Sequence, residues 1–294
     1  MPNFIMLVGL PGAGKTYMAQ QLAKYTNTVV LSSDDIRREI YGNEATQGRH
    51  DEVFGLMNKR TADYLRSGMN VIYDATNLRR KNRKHLLSVL PKECNKKAYI
   101  VWARYETCLE RDTHRKRSVG KDVIDRMIKN FQVPYYDEGW NYIGVITTDS
   151  TLYSHENYDE WTDCSHDNPH HLNTVKEHIQ NVIKRALHID SPYQNEILLA
   201  SKMHDVGKKF TKSFINNRGE KSDVAHFYDH QNVGAYFTLG YNDLSTFRVE
   251  TILFITWLVN SHMEPFFCSK YYKSLTGRQK EALDLLHDCD RLGA

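Results

Sequence analysis

Residues 4–22 read FIMLVGLPGAGKTYMAQQL. Five apolar residues run directly into Gly9-Leu-Pro-Gly-Ala-Gly14-Lys15-Thr16, and a helix-forming stretch follows from Lys15 to Tyr25. A G-x-x-x-x-G-K-[ST] pattern between a strand and a helix is a phosphate-binding loop. Gly12 and Gly14 let backbone N–H groups approach phosphate oxygens, and the helix N-terminus adds positive potential. Lys15 supplies a cation to the β- and γ-phosphates, and the Thr16 hydroxyl a ligand to Mg²⁺. The expected ligand is therefore ATP or another nucleoside triphosphate with Mg²⁺.

Outward from this loop, short apolar runs recur at residues 28–31, 70–73, 97–102 and 142–146, with helical segments between them. Strands alternating with helices predict an α/β domain, a parallel sheet with flanking helices. The pattern then changes. Residues 175–187, 196–204, 230–238, 247–259 and 279–292 repeat apolar positions at three and four, which predicts an all-α second half. The expected organisation is a P-loop domain over residues 1–150, an acidic connector over 151–168 and an all-α domain over 169–294.

Charge follows the same division. The 294 residues carry a net +3, which excludes a histone-like tail. Residues 1–147 hold 24 basic and 16 acidic side chains, net +8, and residues 148–168 hold six acids with no Lys or Arg. Residues 169–294 hold 15 basic and 14 acidic, net +1. Eleven of the 14 histidines follow residue 150. Five cysteines without a CxxC pair indicate reduced thiols and a cytoplasmic setting, with neither a disulfide framework nor a cysteine zinc site. No apolar stretch is long enough to span a bilayer, and the N-terminus lacks the basic region of a signal peptide.

In a sheet of this kind the carboxyl ends of the strands line the ligand crevice. Asp34 and Asp35 follow the second strand, and Arg37 lies one short helical step later. A carboxylate there can take a proton from an attacking hydroxyl, and an arginine can hold a phosphate. Ser33 or Asp34 could equally cap the next helix. Arg79, Arg80, Lys81, Arg83 and Lys84 form one basic cluster, readable as an acceptor surface or a solvated helix face. Arg111, His114, Arg115, Lys116 and Arg117 form another, where a lid would close over ATP. Arg115 or Arg117 is the candidate to stabilise charge on the transferring phosphoryl group.

The segments GLPGAGKT, LSSDDIRREIYG, DATNL, RDTHRKRSVGKDVIDRM and PYYDEGW, in that order, resemble the P-loop polynucleotide 5′-kinases of the bacteriophage polynucleotide kinase class. The resemblance spans residues 1–146. It implies Asp34 as general base for a 5′-hydroxyl, Arg37 on the acceptor phosphate, and Arg115 or Arg117 as the lid arginine. It also implies a homo-oligomer and RNA or DNA ends as substrates.

The second half carries His204-Asp205 at a helix end, with His178, His230, His262 and Asp290 as further candidates. Imidazole with carboxylate suits Mn²⁺, Fe²⁺, Zn²⁺ or Ni²⁺ better than Mg²⁺ or Ca²⁺. Two adjacent ions could clamp a phosphate and activate water. His188, His226 and His287 are read as structural. The segments LASKMHDVGKKFT and HFYDHQNVGAYF resemble the HD phosphohydrolase superfamily, in particular the HD domain attached to CCA-adding enzymes. HHLNTVKEHIQNVIKRAL fits its opening helix and selects His178 over His171. HDCDRLGA supplies the last aspartate, Asp290, with Asp288 as competitor. The resemblance implies one metal on His178, His204, Asp205 and Asp290, and a second on His230 and His262 with Asp205 bridging. Mn²⁺, Ni²⁺, Co²⁺ or Fe²⁺ would serve, and Lys208 would contact substrate phosphate.

Together the two resemblances imply nucleic-acid end healing: a 5′-hydroxyl is phosphorylated, and a 2′,3′-cyclic phosphate or 3′-phosphate is removed. An RNA ligase would use the product. HD-domain polynucleotide kinases place the HD module first, whereas here the P-loop half leads. One alternative is a small-molecule or nucleoside kinase joined to a nucleotide phosphohydrolase. Another is a nucleotide-gated RNA-binding or sensor protein with a silent HD half.

Overall fold

The computed structural model describes the chain except residues 25–26, 44–48, 116, 169–173 and 294, and except the side chain of His50. His171 and Lys116 therefore lie outside the described residues. The chain forms two compact units. The first comprises residues 1–127 and 134–151, and the second residues 128–133 and 152–294.

The first unit is built on β1 (Asn3–Val8), β2 (Thr28–Ser32), β3 (Asn70–Asp74), β4 (Asn95–Trp102) and β5 (Tyr142–Thr147). They form one parallel sheet in the order β2-β3-β1-β4-β5. Its helices are α1 (Lys15–Leu22), α2 (Ser33–Tyr41), α3 (His50–Arg66), α4 (Arg80–Val89), α5 (Tyr105–Thr113) and α6 (Lys121–Ile128), the last ending one residue into the second unit. The central strands are buried on both faces, as their unbroken apolar runs require. Phe4, Leu7, Val8, Val71, Ile72, Ile100 and Trp102 are all inaccessible to solvent. Ser32 caps α2, its Oγ accepting from the Asp34 N–H at 3.2 Å. Neither Ser33 nor Asp34 is the cap, so the Asp34 side chain is not committed to its helix end.

The basic cluster at residues 79–84 divides. Arg83 is buried and donates to Glu138 (Nε to Oε2, 2.8 Å) and to the carbonyls of Asn77 and Leu78. Arg80 pairs with Asp137. These two cations tie α4 to the PYYDEGW segment and do not form an acceptor surface.

The second unit differs from an all-α domain. Helices α7 (His155–Thr162), α8 (Val175–Ala186), α9 (Gln194–Met203) and α10 (Lys208–Thr211) come first. A two-stranded antiparallel hairpin follows, β6 (Ser213–Ile215) and β7 (Lys221–His226). Then come α11 (His230–Thr238), α12 (Val249–Ser261), α13 (Lys270–Ser274) and α14 (Gly277–Gly293). The hairpin is set by its turn. Asn216 Oδ1 accepts from the N–H groups of Arg218 and Glu220, and Gly219 adopts φ 81°. That is side-chain turn chemistry, which periodicity does not register.

The acidic stretch also differs from a connector. Its Tyr153 exchanges backbone hydrogen bonds with Gly240 and Asn242. Trp161 of α7 stacks on Phe237, with ring centroids 4.7 Å apart. Tyr153 and Trp161 are both buried. Its charges stay at the surface while its aromatics join the core of the unit.

Candidate phosphate and metal sites

In the first unit the loop between β1 and α1 has its glycines where the backbone demands them. Gly12 and Gly14 adopt φ of 80° and 91°, and a Cβ on Gly12 would lie 2.4 Å from the Cys108 carbonyl. Lys15 is buried, and its Nζ donates to the Leu10 carbonyl at 2.8 Å. Burial pulls its ammonium below the usual lysine range, against the pull of Asp74. The Thr16 hydroxyl donates to Asp74 Oδ2 at 3.0 Å. Burial pushes the Asp74 carboxyl upward, opposed by Lys15 and Thr16. A hydroxyl and a strand-terminal carboxylate side by side form a hard oxygen pair that fits Mg²⁺. Asp74 is absent from the set expected from sequence, although an acid closing an apolar strand is a readable signal.

Asp34 and Asp35 separate clearly. Asp35 pairs with Arg38 in solvent. Asp34 receives a hydrogen bond from Arg37 at 2.8 Å and faces Arg117 at 3.5 Å. Arg115 pairs with Asp112 at 3.6 Å and lies near enough to disfavour the charge on Lys15. Arg115 thus lies near the phosphate-loop lysine and Arg117 beside Asp34. Arg111 instead braces the loop from outside. It donates to the Thr148 carbonyl at 2.8 Å and the Thr148 hydroxyl at 3.0 Å. Thr148 in turn donates to the Ala13 carbonyl at 2.8 Å. Asp112 organises the segment after α5, accepting from Ser118 Oγ and from the N–H groups of Val119 and Gly120.

In the second unit six side chains converge from four helices and the α9–α10 turn. Gly207 permits the convergence, since a Cβ there would lie 2.1 Å from the His230 carbonyl. His178 Nε2 lies 3.2 Å from His204 Nε2 and 3.0 Å from Asp290 Oδ1. His230 Nε2 lies 3.1 Å from His262 Nε2. Asp205 stands between the pairs. Its Oδ2 is 3.5 and 3.4 Å from His178 and His204, and its Oδ1 3.3 and 3.9 Å from His230 and His262. Two groups, His178 with His204 and Asp205, and Asp205 with His230 and His262, have metal-compatible spacing. All six residues are buried. Asp288 is exposed beside Arg291 and takes no part.

The tautomers test the fit. His204, His230 and His262 each place Nδ1 at 2.7–2.8 Å from a backbone carbonyl, of Ser201, Phe227 and Val259. His178 Nδ1 is 3.3 Å from the Gly293 carbonyl. An Nδ1–H spent on a carbonyl leaves Nε2 as a lone pair. Two Nε2 atoms 3.1 Å apart can share one proton or ligate one metal ion. Burial, reinforced by His230 and His204, holds the His262 imidazole down at about 3. Burial of His204 is outweighed by Asp205 and Asp290, which push it up to about 10. The donors are nitrogen and carboxylate oxygen, the set that transition divalent ions prefer. His226 stacks on Tyr228, and His287 packs edge-on against Phe266.

His166 completes the centre and is absent from the set expected from sequence. It is buried, with Nε2 3.1 Å from Lys208 Nζ. The signal is hidden because His166 lies in the acidic stretch, outside the helical pattern.

Comparisons with known proteins reach the first unit. A family profile described as an AAA domain matches residues 4–134. The 6-phosphofructo-2-kinase/fructose-2,6-bisphosphatase of Caenorhabditis elegans is 29% identical over 116 residues, covering 32% of this chain and 25% of that protein. Human 6-phosphofructo-2-kinase/fructose-2,6-bisphosphatase 3 is 29% identical over 119 residues, 34% of this chain and 22% of its own. The chain thus spans about a quarter of the length of these relatives. Among solved structures, a chain of the Pnkp1/Rnl/Hen1 RNA repair complex aligns with TM-score 0.39 at 21% identity, covering 44% of this chain and 43% of that chain. A fungal RNA kinase aligns with TM-score 0.39 at 11% identity, covering 68% and 50%. The first unit is a parallel α/β domain with a phosphate-binding loop, and the profile match covers most of it.

Proposed function

We propose that the chain is a bifunctional enzyme of nucleic-acid ends. The first unit phosphorylates 5′-hydroxyls from ATP, and the second hydrolyses 2′,3′-cyclic phosphates and 3′-phosphates. The observation that carries the kinase half is Asp34, held by Arg37 and faced by Arg117 at the mouth of a phosphate loop. The loop amides and Lys15 hold the triphosphate, and Thr16 and Asp74 would hold Mg²⁺. The acceptor hydroxyl gives its proton to Asp34 as its oxygen attacks the γ-phosphorus, the bond from that phosphorus to the β–γ bridging oxygen breaks, and ADP leaves. Arg37 holds the acceptor phosphate, and Arg117 meets charge building on the transferring group. The net +8 of residues 1–147 suits a polyanionic acceptor.

For the second half, His178, His204, Asp205 and Asp290 would hold one divalent ion, and Asp205, His230 and His262 another. When bound, such ions supply Lewis acidity toward phosphate and activate water. The protein's part is to fix each Nε2 through an Nδ1–H bond to the backbone and to exclude bulk water by burial.

The test is incubation with ATP and an RNA oligonucleotide carrying a 5′-hydroxyl and a 2′,3′-cyclic phosphate, with Mg²⁺ plus Mn²⁺, Ni²⁺ or Co²⁺. Both ends should change. Lys15→Ala or Asp34→Ala should abolish only phosphorylation, and His204→Ala or Asp205→Ala only phosphate removal. Loss of both in every variant, or neither activity in the parent, rejects the reading. A second reading, a kinase of small phosphorylated acceptors, is favoured by the sugar-phosphate kinase relatives. Strong salt dependence of acceptor binding supports nucleic acid, and salt-insensitive phosphorylation of a sugar or nucleoside supports the second reading. A silent second unit would bind no transition metal and hydrolyse no ester.

A further inference from the structure

The acidic stretch carries a side chain into the second unit's centre. Residues 165–168 are pinned on both sides. Ser165 bridges Thr174 ahead of α8, the Asp167 carbonyl accepts from the Ala225 N–H at 2.9 Å, and Asn168 Nδ2 donates to the Ala225 carbonyl. Between these ties, His166 is 1% exposed. Its Nε2 lies 3.1 Å from Lys208 Nζ, while the same ammonium lies 2.6 Å from Asp205 Oδ2. Lys208 is itself buried, with Nζ 5.6 Å from the centre of the Phe227 ring.

A lysine ammonium has three N–H donors and a flexible four-carbon stem. Among the described residues, His166 Nε2 takes one of them, and Asp205 Oδ2 lies 2.6 Å from the ammonium as its ion-pair partner. With Asp205 alone, the ammonium would be free to swing about one carboxylate. The second partner fixes its position. Because that partner is an imidazole accepting through Nε2, it holds the cation without neutralising it. A carboxylate in its place would add a second negative charge beside the Lys208–Asp205 pair and repel an anion. We propose that His166 is a positioning residue that fixes the Lys208 ammonium beside Asp205 to receive a phosphate oxygen of the substrate. The proposal rests on reading the second unit as a phosphohydrolase centre.

The experiment uses the full chain reconstituted with Mn²⁺. It measures inorganic phosphate binding by calorimetry, kcat and KM on 2′,3′-cyclic AMP, and bound manganese. His166→Leu should weaken phosphate binding and raise KM about tenfold, with kcat and manganese content near those of the parent. His166→Gln, which restores a neutral acceptor, should return both within about twofold. His166→Glu should remain as weak as His166→Leu. In the Lys208→Met background, His166→Leu should add almost nothing, because the two residues act as one unit. The role is overturned if His166→Leu binds phosphate like the parent. It is equally overturned if His166→Gln fails as His166→Leu does, if the two losses add fully, or if His166→Leu loses its manganese. A parent that takes manganese yet neither binds phosphate nor opens the cyclic ester rejects the phosphohydrolase reading itself. Failure confined to the variants rejects only His166.

Discussion

At the scale of single residues, geometry separates side chains that the sequence leaves equivalent. Asp34 and Asp35 are adjacent acids at one strand end, yet only Asp34 touches Arg37 and Arg117. Asp34→Asn should lower phosphorylation by roughly 10²–10⁴-fold, the range for loss of a general base. Asp35→Asn should change it less than about threefold by the same argument. Equal losses would mean that Asp34 does no more than Asp35. Asp290 and Asp288 divide likewise, one beside His178 and the other in solvent. Bound manganese, measured by mass spectrometry after reconstitution, should fall in Asp290→Asn and stay at parental level in Asp288→Asn. Arg83 makes a structural contrast. Its pair with Glu138 is wholly buried, and Glu138 also accepts from Trp140 Nε1. Arg83→Met leaves that carboxylate buried without its cation, so denaturant unfolding of the first unit should show a loss of about 3–5 kcal/mol. A loss under about 1 kcal/mol, the value of an exposed pair, would contradict that account.

At the scale of elements, the legible parts were those that follow one period. The five parallel strands match five apolar runs, and the ends of α11 match residues 230–238. The phosphate loop was legible because its chemistry lies in contiguous residues. What escaped has a common physical origin. The β6–β7 hairpin depends on one asparagine and one glycine in its turn, too local to alter a pattern of apolar spacing. The α7 stretch hides two buried aromatics among six surface acids, so its average composition reads as solvent-facing. Arg111 and Arg83 lie in charge runs, yet each bonds to backbone or to a distant acid. Long-range partners of this kind leave no local trace. The packing of α7 gives a direct test. Trp161→Ala removes a side chain 2% exposed that stacks on Phe237. Its unfolding free energy should drop by about 3–5 kcal/mol, as for other buried aromatic deletions. If α7 were only a tether, the drop would stay within about 0.5 kcal/mol, the surface value.

At the scale of the whole molecule, each unit has its own core and its own cluster of candidate ligand side chains. Each should therefore respond to its own ligand. A ligand that binds only the folded form stabilises by RT ln(1 + [L]/Kd), about 2.7 kcal/mol at a hundredfold excess over Kd. For units near 150 residues, 1 kcal/mol moves a melting temperature by about 2–4 °C. Saturating ATP with Mg²⁺ should thus raise one calorimetric transition by roughly 5–10 °C. Removal of metal by a chelator should lower the other by a comparable or larger amount. In the second unit the direction follows from the four Nε2 atoms and two buried carboxylates that face one another. Lys208 pairs with Asp205 there, and a bound divalent ion would add to that compensation of buried negative charge. Lys15→Ala should erase the nucleotide shift and leave the chelator shift. His204→Ala should do the reverse, and it should also unfold at nearly the same temperature with and without chelator. A chelator that moves neither transition in the parent would show that the histidine cluster holds no ion. A chelator that moves both transitions together would show that the metal does not belong to the second unit alone.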